Sequence, residues 1–151
     1  MMKISLSLSL LFLIGCAASA VGPTEPWRVE VATSGGLTGR GMGTFAVVSE
    51  GKAQVTMADG RPCTFALTPD ELRRVEAVLP AERSAWRDSY IPENSCCDRF
   101  QYDLTVDEGG QVTRTKWIDD PLPMPADLEA LASAMVGGAQ SIRVLASERC
   151  P

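Results

Sequence analysis

The stretch "FQYDLTVDEGGQVTRTKWI", residues 100–118, decides how this chain folds. Phe100, Tyr102, Leu104 and Val106 alternate with Gln101, Asp103 and Thr105, the period of a strand with one face buried. Glu108-Gly109-Gly110 then turns the chain into a second strand, "QVTRTKWI". A hairpin of this clarity points to antiparallel sheet, and the segments around it repeat the pattern.

Upstream, Trp27, Val29 and Val31 alternate with Arg28, Glu30 and Ala32, and "TFAVVS" at 44–49 resumes the pattern after the glycine-rich "SGGLTGRGMG". These read as two strands joined by a loop unusually long and glycine-laden for a hairpin. "AQVTMADGRPCTFAL" makes another hairpin, turning at Asp59-Gly60. The first helix starts at Thr68-Pro69-Asp70-Glu71, with Thr68 as N-cap, Pro69 in the first helical position and Glu71 closing a capping box. Leu72, Val75, Val78 and Leu79 share its inner face, and Pro80 ends it. Residues 81–89 are expected to add a short helix carrying Trp86. "PLPMPADLEALASAMVGG" is the last helix, with Leu128, Leu131 and Met135 inward and Gly137 as its stop. Hairpins rather than βαβ crossovers make the expected class α+β: a single domain, an antiparallel sheet of hairpins packed with two or three helices.

The N-terminus reads as export machinery. Lys3 and an apolar run from Ile4 to Ile14 form a signal peptide over residues 1–15, too short for a transmembrane helix. Leu13-Ile14-Gly15-Cys16 has the form of a lipobox, making Cys16 a lipidated N-terminus, while Ala18-Ser19-Ala20 offers ordinary cleavage after Ala20 and a soluble periplasmic or secreted product. The position of Cys16 at the end of the apolar run favours acylation. Residues 16–26 then serve as the lipidated tether and 27–151 as the domain. The expected location is the bacterial cell envelope, held to the outer membrane by acyl chains and facing the periplasm, since Ala17 is not the aspartate of inner-membrane retention.

The four remaining cysteines, Cys63, Cys96, Cys97 and Cys150, suit disulfides in an oxidising compartment better than metal, as no C-x-x-C spacing occurs. A bridge between adjacent Cys96 and Cys97 would be strained, so each is expected to pair separately with Cys63 or Cys150, in an order the sequence leaves open. No cofactor and no metal are called for.

Several function classes fall away. The chain has no histidine, which removes Ser-His-Asp and Cys-His catalysis and most zinc enzyme sites, so a non-enzyme is expected. A net charge of −5 without a basic run makes nucleic acid a poor partner. "GRGMGT" lacks the lysine of a P-loop, and Asp119-Asp120 and Asp107-Glu108 read as solvated turn acids before they read as a glycosidase pair.

"VEVATSGGLTG", "LTPDELRRVEAVLP", "DRFQYDLTVDEGGQVTRTKWIDD" and "LPMPADLEALASAM", in that order, resemble emfourin, the protealysin inhibitor family, over roughly residues 27–136. The resemblance implies a small α+β protein that inhibits a thermolysin-like zinc metallopeptidase by occupying its active-site cleft. Export, the lipobox, the paired cysteines, a longer Met57–Phe65 region and the tail "QSIRVLASERC" depart from that family, and Leu37 stands where an aromatic residue is common. Cys150 is expected to staple the tail to the body. The contact is expected on the glycine loop, Ser34, Gly35, Gly36, Leu37, Thr38, Gly39 and Arg40, supported by Asp119, Asp120 and Leu122. Leu37 at the tip would enter the apolar pocket beside the zinc. The competing reading gives the glycines no role beyond a wide turn. Two other functions stay open: a non-enzymatic envelope lipoprotein serving as a binding or assembly module, and a lysozyme inhibitor.

Overall fold

The computed structural model describes residues 25–96 and 98–151. The leader, Cys16, the tether as far as residue 24, and Cys97 lie outside the described residues. Six strands, β1 (Trp27–Gly35), β2 (Gly43–Val48), β3 (Lys52–Met57), β4 (Pro62–Ala66), β5 (Phe100–Glu108) and β6 (Gln111–Ile118), form one antiparallel sheet in the order β4-β3-β2-β1-β5-β6. The first four strands run as a meander. The chain then passes through α1 (Pro69–Glu76) and returns so that β5 pairs with β1 from Trp27↔Glu108 to Gly35↔Phe100.

The alternation of residues places Val29, Val31, Phe45, Val47, Leu104, Val106 and Trp117 on one face. That face is covered by α1, by α2 (Ala126–Ala132) with the π-helical turn Ser133–Gly137 that continues it, and by α3 (Ile142–Arg149). Leu128, Leu131 and Met135 are fully buried there, as their spacing requires. The opposite face carries polar pairs, with Arg28 bonded to Glu30 along β1 and to Gln54 on β3. The domain is thus α+β with the sheet as its larger part. No helix among the described residues is long and apolar enough to cross a membrane.

The capping box of α1 forms as its sequence requires: Thr68 Oγ1 accepts from Glu71 N at 3.3 Å, and Glu71 Oε2 accepts from Thr68 N at 2.8 Å. Glu71 also receives Arg149 from the end of α3, at 2.5 Å. That bond holds its carboxyl below the usual carboxylate range against the opposing effect of burial.

Three expectations change. Residues 81–89 are turns and extended chain rather than a helix. Their backbone is drawn to the β6 edge: Tyr90 N donates to Lys116 O and Lys116 N to Asp88 O, while Trp86 is held by its indole N–H on Asp127. Edge pairing there competes with helical bonding, and the edge gains cover. The third helix is instead α3, in the tail, started by Ser141 as N-cap.

The cysteines are the third correction. Cys63 pairs with Cys150, Cα to Cα 6.0 Å, so neither is a partner for Cys96 or Cys97. The sheet order explains it. Cys63 lies on edge strand β4, while Cys96 precedes β5 four strands away, roughly 19 Å at about 4.8 Å per strand and far beyond the span of about 7 Å that a disulfide bridges. Cys96 is itself disulfide-bonded. Cys150 does staple the tail to the body.

Candidate functional site: a clamped loop at one end of the sheet

The loop between β1 and β2 leaves the sheet beside the start of β5. Gly35 has φ +81° and Gly36 φ +70°, backbone that glycine adopts without penalty. A Cβ on Gly35 would lie 2.3 Å from Arg99 O, and one on Gly36 would lie 2.7 Å from the Phe100 ring. The glycines therefore permit close contact as well as a turn: the loop rests on the backbone and ring of residues 99–100. Gly36 N donates to Arg99 O at 3.0 Å, Gly39 N to Gly36 O at 3.0 Å and Gly41 N to Gly35 O at 3.0 Å. On the returning limb Thr33 Oγ1 accepts from Met42 N at 2.6 Å and donates to Gly43 O at 2.8 Å. Leu37 projects from this framework 90% exposed. Thr38 and Arg40 are exposed beside it, with Arg40 N donating to Thr38 Oγ1.

The floor under the loop is fixed from the other side by the segment after β6. Asp119 Oδ2 accepts from Phe100 N at 2.9 Å and Oδ1 from the Tyr102 hydroxyl at 2.8 Å, while Asp120 pairs with Arg99 at 3.2 Å. Tyr102 stacks on Trp117, centroids 5.3 Å apart. Leu122 is fastened through its N–H to Tyr90 O and keeps 37% of its surface exposed. Ser34 to Arg40, Asp119 and Asp120 thus converge on residues 99–102, whereas Leu122 is held to Tyr90 beyond the β6 edge and makes no hydrogen bond to the loop among the described residues. The sequence reading missed the intermediaries, Arg99, Phe100 and Tyr102. A signal for them existed in the antiparallel pairing, which sets Phe100 opposite Gly35, but it needs the β1–β5 register to be read.

Burial, followed by the hydrogen bond to Asp119 and the charge of Asp119, pushes the Tyr102 phenol up to about 12. A phenol raised in the folded state favours folding below its unfolded value of about 10, and this contribution is lost as pH rises through 12. Spectrophotometric titration of the Tyr90→Phe protein, whose one remaining tyrosine is Tyr102, is expected to give a midpoint near 12, moving toward 10 in Asp119→Ala. A native midpoint near 10 in the first protein would refute the Tyr102–Asp119 bond.

The acids weighed as a catalytic pair have structural partners. Asp119 and Asp120 hold β5, Asp107 accepts from Gly110 N at 3.0 Å, and Glu108 pairs with Arg83 at 3.0 Å. Among the described residues no group of three or more His, Cys, Asp or Glu side chains is placed to hold a metal ion.

Fold and site together define a class: a sheet-dominated α+β domain with one preorganised, apolar-tipped loop. No protein-family model matches the chain, and no curated protein or solved structure matches it.

Proposed function

We propose that this protein is a lipid-anchored proteinaceous inhibitor of a thermolysin-like zinc metallopeptidase, with Cys16 as its anchor in the bacterial cell envelope and the β1–β2 loop as its blocking element. The observation that carries the reading is the 90% exposure of Leu37 on a loop whose backbone is tied down on both limbs. A single exposed leucine is ordinary on a protein surface. Its placement is not, because the loop beneath it has already lost the freedom that binding would otherwise remove. The glycines before it keep the backbone narrow enough to follow the side chain into a cleft. Exclusion of substrate is steric. Loop residues 34–40 carry neither histidine nor carboxylate, so no zinc ligand is required from them. The resemblance to emfourins points the same way, and the lipobox sequence supports an encounter outside the cytoplasm.

The test is the inhibition constant of the protein and its Leu37→Ala and Leu37→Asp forms against a thermolysin-like protease, with lysozyme as a parallel target. Loss of a buried apolar anchor is expected to weaken inhibition about thirtyfold, equivalent to about 2 kcal/mol, and aspartate is expected to weaken it further. Equal inhibition by all three forms would move the contact off the loop. No inhibition by the parent would remove the function, and inhibition of lysozyme instead would transfer the protein to that class. The mass of the N-terminal peptide from native protein distinguishes acylated Cys16 from a free Val21.

A further inference from the structure

The helical layer leaves a groove of about 370 Å³ between α1, the π-helical turn and α3, away from the clamped loop. Its size falls within the range of small-molecule sites, about 300–1,000 Å³. Val75, Val78, Ala134, Ile142 and Leu145 make its walls apolar. Glu71 reaches it, but that carboxylate already accepts from Thr68 N and is paired with Arg149. The body of an occupant is therefore hydrocarbon.

One end is polar and positive. Arg74 stands exposed at the rim, bonded to the neutral side chain of Gln140, and forms no ion pair among the described residues. Ser141, 1% exposed, also lines the groove; its Oγ accepts from Val144 N, which leaves the hydroxyl proton able to donate. Of the two charged residues lining the groove, Glu71 is paired with Arg149, while Arg74 has no acidic partner among the described residues.

We infer that this groove binds a single-chain amphiphile with a carboxylate head, its chain lying between Val78, Ala134 and Leu145 and its head on Arg74 and Ser141. A guanidinium with no acidic partner among the described residues matches a carboxylate in charge and in its paired donors.

Calorimetric titration of the purified protein with hexanoate, octanoate, decanoate and decanol, below their aggregation concentrations, tests the assignment. Affinity is expected to rise by up to about fourfold per added methylene, the factor for full burial of one such group. Arg74→Gln is expected to weaken decanoate about tenfold and leave decanol unchanged. Ala134→Phe, which fills the groove, is expected to abolish both while keeping the melting temperature of the parent. Decanoate binding unaffected by Arg74→Gln, or retained in Ala134→Phe, would overturn the inference, as would the absence of decanoate binding by the parent. Decanol binding the parent as tightly as decanoate would mark the groove as a seat for an uncharged apolar partner and overturn it too.

Discussion

Replacing Cys63 and Cys150 together by alanine is expected to destabilise the domain by about 4 kcal/mol, at the upper end of the usual range for one bridge. The bridge spans 87 residues, and a long closed loop restricts the unfolded chain more than a short one. It also joins two peripheral elements, β4, which is paired on one side only, with β3, and α3, which is held by burial of Ile142, Leu145 and Ala146. β4 is the outermost strand on its side of the sheet, and α3 is the last element of the chain. Apart from the bridge, the tail reaches this region through Arg149, which contacts Glu71, Ala66 O and the Phe65 ring, and through Pro151 O, which accepts from Arg61. For a domain of this size the loss corresponds to a melting temperature lower by roughly 10–20 °C. Reduction of the parent should approach the same value, with any excess attributable to Cys96. The Leu37 loop joins β1 to β2, inward of edge strand β4, and its hydrogen bonds run to β1, β2 and Arg99 rather than to β4 or α3, so inhibition at a temperature where both forms are folded should be unchanged. A fall of less than about 3 °C, equivalent to under about 1 kcal/mol, would mean that the native packing of α3 is self-sufficient.

Strand pairing was legible where it is local. The β5–β6 hairpin, the Asp59-Gly60 turn and the capping box at Thr68 each sit within a few residues, and each side chain involved acts on its own neighbours. What could not be read depends on distant partners. The turn structure of residues 81–89 is imposed by the β6 edge, which offers Lys116 to Tyr90 and Asp88. The Cys63–Cys150 pairing follows from a strand order that places β4 and β5 on opposite sides of β1, information carried by no spacing. The tail helix was hidden by its mixed pattern: only Ile142, Leu145 and Ala146 of α3 are buried. At the candidate site, the glycine loop and its support by Asp119 and Asp120 were legible together, but the residues that link them were not. Arg99, Phe100 and Tyr102 connect them, and those three sit inside the strand signal that made the hairpin so clear.

Gly35→Ala is expected to cost about 3 kcal/mol and to weaken inhibition at least as much as Leu37→Ala, although residue 35 is not the tip. Two separate effects contribute. An L-residue at φ +81° carries a conformational cost of about 1–2 kcal/mol. The new Cβ would also meet Arg99 O at 2.3 Å, a contact with backbone that no rotamer relieves. Relief requires the end of β1 to lift from β5, breaking the bond from Gly36 N to Arg99 O and displacing Gly36 from the Phe100 ring. A lost hydrogen bond adds about 1 kcal/mol. Gly39→Ala provides the control, since Gly39 has φ +70° but its Cβ would meet nothing within 4 Å. That variant should show the conformational cost alone, about 1–2 kcal/mol, with the loop still seated on β5. Denaturant melts of the two variants isolate the contact as their difference, expected at 1 kcal/mol or more in the direction of Gly35. Equal melts with equal inhibition would show that the loop does not depend on its seat on β5, and the preorganisation argued for Leu37 would fall with it.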